Sequence, residues 1–193
     1  SDPATARRNE WLYVFWFRSQ IGSYFQAWKI EFTRMKIMKK HMFNYENKML
    51  QYSILHSIFL GSIYTYFGLV VLIYFLSAAT IGILLLETVN YIEHYGLFRE
   101  KITANRFQDV APIHSWNSDF ILGRIVLFEL TRHSDHHASP ERPYEHLRSL
   151  DNAGQLPAGY PSMMLLALVP FAWFKIMNPL AMKVKNLQKN LAD

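Results

Sequence analysis

Three of the eight histidines of this chain fall within six residues, Arg132-His133-Ser134-Asp135-His136-His137. Imidazole titrates near neutral pH, and in its neutral form it binds borderline metals such as iron or zinc readily. If one helix runs over residues 121–137, then His133, His136 and His137 stand at i, i+3 and i+4 and share a face. Crowding three basic rings on one face brings no structural gain unless a cation sits between them. Such a cluster also arises by chance on a surface, so the spacing alone leaves a metal site and a solvated patch both open.

A second candidate is His94, in Asn90-Tyr91-Ile92-Glu93-His94-Tyr95-Gly96. Counted from Leu69 along a helix, His94 lies roughly 37 Å away, beyond a hydrocarbon core of about 30 Å, at a membrane boundary. A lone histidine there is more often an interfacial residue than a ligand. Glu87 and Asn90 share its face at i−7 and i−4, where ionisable groups are costly unless paired. They either orient imidazoles through the free ring N–H or bond neighbouring helices. Glu93, beside His94, and Asp135, inside the histidine cluster, are further candidates for the orienting role. His41, His56, His114 and His146 stand isolated and are expected not to be ligands.

The elements that must position these groups follow from the charge pattern. Residues 51–88 contain Glu87 and no other Asp, Glu, Lys or Arg. One span needs roughly 20 apolar residues, so this run predicts a hairpin, out over 45–67 and back over 69–96, turning at Phe67-Gly68. Arg34, Lys36, Lys39, Lys40 and Lys48 precede it, and Arg99, Lys101 and Arg106 follow it. Both ends are basic, which predicts that both are cytoplasmic. Residues 10–42 mix aromatic with basic side chains, as in Trp11, Tyr13, Trp16, Trp28 and Lys29. That mixture suits the headgroup layer, although an amphipathic helix docked on protein has the same composition. Residues 100–160 read as a polar cap, turn-rich at Ser139-Pro140-Glu141-Arg142-Pro143 and Asp151-Asn152-Ala153-Gly154. The apolar run over 163–174 is interrupted by Pro170 and is short for a span, so it is re-entrant, interfacial or packed on the bundle.

The expected fold class is therefore all-α membrane protein: a transmembrane helical hairpin with interfacial helices and a cytoplasmic helical cap. Its expected parts are 1–44 (interfacial, aromatic and basic), 45–97 (hairpin), 98–160 (cap with the histidine box) and 161–193 (apolar membrane-associated segment and basic tail). Composition agrees: 51% of the 193 residues are hydrophobic while the net charge is +5, which requires segregation along the chain. The absence of cysteine excludes thiolate metal sites, iron–sulfur or rubredoxin centres and cysteine nucleophiles within this chain. The N-terminus has no apolar signal-peptide core, and Ser1-Asp2-Pro3 without a Met predicts a processed product or an internal piece of a longer chain.

The segment Asn90-Tyr91-Ile92-Glu93-His94-Tyr95-Gly96-Leu97, followed some forty residues on by Arg132-His133-Ser134-Asp135-His136-His137-Ala138, resembles the integral-membrane alkane 1-monooxygenases. The resemblance continues through Pro140, Arg142, Tyr144, Leu147 and Arg148 into Leu156-Pro157-Ala158-Gly159-Tyr160-Pro161 and covers essentially the whole chain. Thr131 stands where many relatives have Gln. The resemblance implies a helical membrane enzyme in which two irons, held by histidines of several boxes, activate dioxygen to hydroxylate the terminal methyl of a medium-chain alkane. His94, His133, His136 and His137 match ligand positions of that family. Its two earlier boxes do not occur here, so the resemblance implies the C-terminal portion of a longer enzyme, inactive without its N-terminal portion. Further implications are a rubredoxin-type electron carrier docked on a basic cap, alkane delivered from the bilayer, surrounding lipid, no nucleic acid, and a bacterial inner membrane with the metal site facing the cytoplasm. The competing readings are a xylene-type monooxygenase, a fatty-acyl desaturase and a non-catalytic, metal-binding membrane module.

Overall fold

A computed structural model describes residues 3–99, 101–103, 106–108, 111–150 and 153–192. The expected turn at Asp151-Asn152-Ala153-Gly154 lies partly outside these residues, as do Ser1 and Asp2. The principal elements are α1 (Leu12–Ile37), α2 (Lys48–His94), β1 (Lys101–Thr103), β2 (Arg106–Phe107), β3 (Trp116–Asn117), α3 (Ile121–Val126), α4 (His133–Ala138), β4 (Gly154–Gln155), α5 (Tyr160–Ala167) and α6 (Pro170–Ala192). Contacts divide the chain into two compact units, Arg18–Leu86 and Ser1–Phe17 with Glu87–Asp193.

In the unit Arg18–Leu86, α2 is interrupted at Gly68, whose φ of 82° and ψ of 175° belong to a region that essentially only glycine occupies. The Phe59 and Phe75 ring centroids are 5.5 Å apart. Residues sixteen apart in a straight helix would be separated by about 24 Å, so the two arms fold back on each other. The expected hairpin and its turn are both present. Hydroxyls of Ser53, Ser57, Ser62, Thr65, Ser77 and Thr80 donate to backbone carbonyls of their own arm. Turning polar groups inward leaves the arms apolar outside, as hydrocarbon demands. The helix is long and apolar enough to cross a membrane, with a mean hydropathy of 2.7 in its most apolar window.

The start of α2 is fixed locally. Asn47 Oδ1 accepts from the Leu50 N–H at 3.1 Å, a side-chain N-cap. Glu31 of α1 accepts from Arg34 at 2.6 and 2.8 Å and from the Lys48 N–H at 2.6 Å. The Arg34 guanidinium holds the Glu31 carboxyl down at about 2.

The other unit is built on a core of Leu12, Phe15, Tyr91, Tyr95, Trp116, Tyr160, Trp173 and their neighbours. Pro170 begins α6, where its missing N–H costs nothing. Trp173, Met177, Ala181 and Val184 then recur along one buried stripe. The run over 163–174 thus packs on protein through Met163, Ala167 and Trp173, while Leu165, Val169 and Phe171 face outward. Polar ends of the aromatic residues tie the core together. Tyr91 donates to the Glu10 carbonyl at 2.6 Å, Tyr95 to Asn178 Oδ1 at 2.8 Å, and Trp116 Nε1 to the Tyr95 carbonyl at 2.9 Å.

One expectation is corrected: no single helix covers 121–137. The helix α3 stops at Val126, Phe128 and Glu129 adopt positive φ of 49° and 59°, and α4 begins anew at His133. The break is held by Arg124, which donates to both Glu129 carboxylate oxygens at 2.8 and 3.0 Å. Strands β3 and β4 pair in parallel, Trp116 with Gly154 and Asn117 with Gln155.

Candidate metal centre

The last turn of α2 carries Glu93 and His94, and the single short helix α4 carries His133, His136 and His137. Six residues make no stable helix by themselves, so α4 depends on what surrounds it. Asn117, on β3, accepts from both the Ser134 N–H (2.9 Å) and the Ser134 hydroxyl (2.8 Å). Asp135 accepts from Arg142 at 2.5 and 2.6 Å and from the Arg148 N–H at 2.8 Å. Asp135, a sequence candidate for orienting an imidazole, instead anchors the following loop to α4. Burial pushes its carboxyl up, yet the Arg148 N–H and the Arg142 guanidinium together hold it below the ordinary aspartate value.

Three imidazoles converge. His133 Nε2 lies 3.1 Å from His94 Nε2 and 2.8 Å from His137 Nε2. A ring nitrogen has a single in-plane hydrogen or lone pair, so His133 Nε2 cannot satisfy both neighbours by hydrogen bonding. Its Nδ1 is buried without a hydrogen-bond partner among the described residues. A metal ion held by the three rings would resolve the frustration at Nε2, because each neutral imidazole would give its lone pair to the ion and not to a neighbouring nitrogen. Burial, and then the neighbouring His94, His137 and His136, push the His133 pKa well below the usual histidine value. A neutral ring is the form a metal requires.

His136 is not among the converging groups. Its ring centroid lies 6.0 Å from that of His133 and 5.9 Å from that of His137, beside the trio. Glu87 is buried and Asn90 half-buried on the turns of α2 before His94. Glu93 is the orienting candidate placed closest: its Oε2 lies 3.4 Å from His133 Nε2, and its Oε1 accepts from the Tyr160 hydroxyl at 2.8 Å. Burial, and then the Glu93 charge, raise the Tyr160 phenol well above its usual value, so it remains a donor. Of the isolated histidines, His56 contacts its own helix at the Tyr52 carbonyl, His41 accepts from the Phe43 N–H, and His114 accepts from the Ala111 N–H. Sequence reasoning gave no role to Tyr160, Asn117 or Arg142. They stand 67, 17 and 7 residues from the groups they hold, and no local spacing signals such pairings.

A family model described as fatty acid desaturase matches residues 1–167. The chain belongs to the fatty acid desaturase family. Among curated relatives, this desaturase-family chain is 42% identical over 177 residues to the alkane 1-monooxygenase of Acinetobacter baylyi, covering 92% of this chain and 43% of that protein. It is 40% identical to alkane 1-monooxygenase 1 of Alcanivorax borkumensis over 90% of this chain and 43% of the relative. Against the xylene/toluene monooxygenase hydroxylase component of Pseudomonas putida it is 28% identical, over 91% of this chain and 46% of the relative. The chain is a homologue of the alkane 1-monooxygenases, and it spans less than half the length of these relatives. Family membership and the convergent histidines together mark a metal site in a fold of membrane type.

Proposed function

We propose that this chain belongs to an enzyme that hydroxylates the terminal methyl of medium-chain alkanes with dioxygen, and that it supplies part of a histidine-ligated di-iron centre. The convergence of His94, His133 and His137, in a chain this similar to alkane 1-monooxygenases, carries the reading. Iron bound there supplies the activation of dioxygen. The protein's own part is positional. His94 from the hairpin and His133 and His137 from α4 would hold one ion, and His136, which stands beside the trio, would serve the second. The remaining ligands come from the part of the enzyme outside this chain, since four histidines do not fill two iron sites. The chain by itself is therefore inactive.

An alkane offers no polar handle, so selection rests on shape and dryness. The apolar hairpin that ends at His94 suits delivery of substrate from the bilayer. We place residues 1–44 in the headgroup layer, 45–97 within a bacterial inner membrane, 98–160 as a cytoplasmic cap bearing the metal site, and 161–193 against the membrane. The basic flanks of the hairpin support that orientation. Electrons come from a rubredoxin-type carrier. The cap holds seven Lys and Arg against eight Asp and Glu, whereas residues 1–48 hold nine against four. The docking surface for an acidic carrier is accordingly assigned to the basic N-terminal segment and not to the cap.

The test is product analysis with the whole, iron-loaded enzyme offered alkane, aryl-methyl and acyl substrates. Primary alcohol from alkanes in preference to the others is expected. Exclusive conversion of aryl-methyl or acyl substrates would replace the reading with a xylene-type or desaturase one. Zinc in place of iron, with no oxygen consumed, would replace it with a non-catalytic module.

A further inference from the structure

Glu93 is 1% exposed, and among the described residues no lysine or arginine pairs with it. A carboxylate in such a place is costly unless a cation or strong donors meet it. One oxygen is met by the Tyr160 hydroxyl at 2.8 Å. The other lies 3.4 Å from His133 Nε2, the same nitrogen on which His94 and His137 converge. The open side of the carboxylate thus faces the place where a cation would sit. Tyr160 is itself fully buried at the start of α5, its ring fixed in the aromatic core, so its hydroxyl is a rigid anchor.

We propose that Tyr160 is a positioning residue for the metal site: it clamps Glu93 so that the second carboxyl oxygen stays beside His133 Nε2, on which the other two imidazoles converge. The inference rests on the reading of the trio as a metal site and adds a phenol–carboxylate support to it. Glu93 offers a carboxyl oxygen beside the ring that the other two imidazoles approach, and Tyr160 fixes where that oxygen stands.

The test uses the whole enzyme, with ferrous iron titrated anaerobically against a chelator and cobalt substituted as a spectroscopic probe. Tyr160→Phe keeps the ring and removes the hydroxyl, and it is expected to weaken iron binding about 10- to 100-fold and to shift the cobalt absorption bands. Glu93→Gln is expected to lose at least as much, and the double variant no more than Glu93→Gln alone. Wild-type affinity in Tyr160→Phe, or losses that multiply in the double variant, would overturn the proposal. Should Tyr160→Phe fail to accumulate, Glu93→Asp keeps the charge but cannot reach both partners. Weakened binding there supports the clamp, and undiminished binding overturns it. Iron binding by the wild type without alkane conversion would remove the proposed function and leave this inference standing. Variants with unchanged iron affinity in an active enzyme would do the reverse.

Discussion

His133 is the residue on which the site turns, because its Nε2 is shared by two other imidazoles while the residue is 7% exposed and its burial disfavours protonation. On the proposed di-iron reading, His94→Ala, His133→Ala and His137→Ala should each remove the same ion, lowering bound metal by about one per enzyme in elemental analysis of the purified whole protein. His136→Ala should leave that ion in place and affect the second one; loss of the first ion in this variant would place His136 in the trio after all. Asp135 works differently, through structure. Its pair with Arg142 is buried on the carboxylate side while Arg142 is 24% exposed, so a full buried-pair cost of about 3–5 kcal/mol is too large, and about 2 kcal/mol is expected for Asp135→Ala. Because its folded pKa is depressed, this stabilisation is fully present above about pH 4, the unfolded aspartate value, and is lost as pH falls through the folded one. Unfolding measured from pH 6 down to pH 3 should show a steeper decline for the wild type than for Asp135→Asn.

At the scale of elements, the hairpin and α4 are stabilised by opposite means. The hairpin needs one backbone conformation at Gly68, and nothing lies within 4 Å of where a Cβ would stand. Gly68→Ala therefore tests backbone strain without a clash. It should cost about 1–3 kcal/mol, read as a lower unfolding midpoint of the enzyme in detergent, and an unchanged midpoint would mean that the turn relaxes to another geometry. The short helix α4 has no such intrinsic signal. Asn117 and the Arg142 and Arg148 contacts of Asp135 hold it in position, so His133 and His137 meet His94 only when the surrounding loops are in place.

For the molecule as a whole, charge and apolar surface are segregated. The hairpin arms present Ile58, Val70, Ile73, Tyr74 and Ile81 outward, a surface suited to lipid. The positive surplus lies at the two ends of the chain, nine Lys and Arg against four Asp and Glu in residues 1–48 and four Lys against one Asp in residues 161–193; the larger is the N-terminal one. If an acidic electron carrier docks there, its KM should rise several-fold between low salt and about 0.5 M salt, where screening shortens to a few ångströms, with kcat little changed. A KM indifferent to salt would rule out docking by charge.

The sequence by itself determined the hairpin, its turn and the histidines to suspect. A run of almost forty residues with one carboxylate has few ways to be buried, and a glycine in its middle marks where the chain can reverse. Those are local properties, carried by composition and by the conformational freedom of one residue. Tertiary structure alone decided that the 121–137 helix breaks at Phe128-Glu129, that His136 stands beside the trio, that Asp135 turns to Arg142, and that Tyr160 meets Glu93. His94 and His133 are 39 residues apart, and Glu93 and Tyr160 are 67 apart. Contacts over such separations are set by how elements pack against one another, which helical or strand periodicity does not encode.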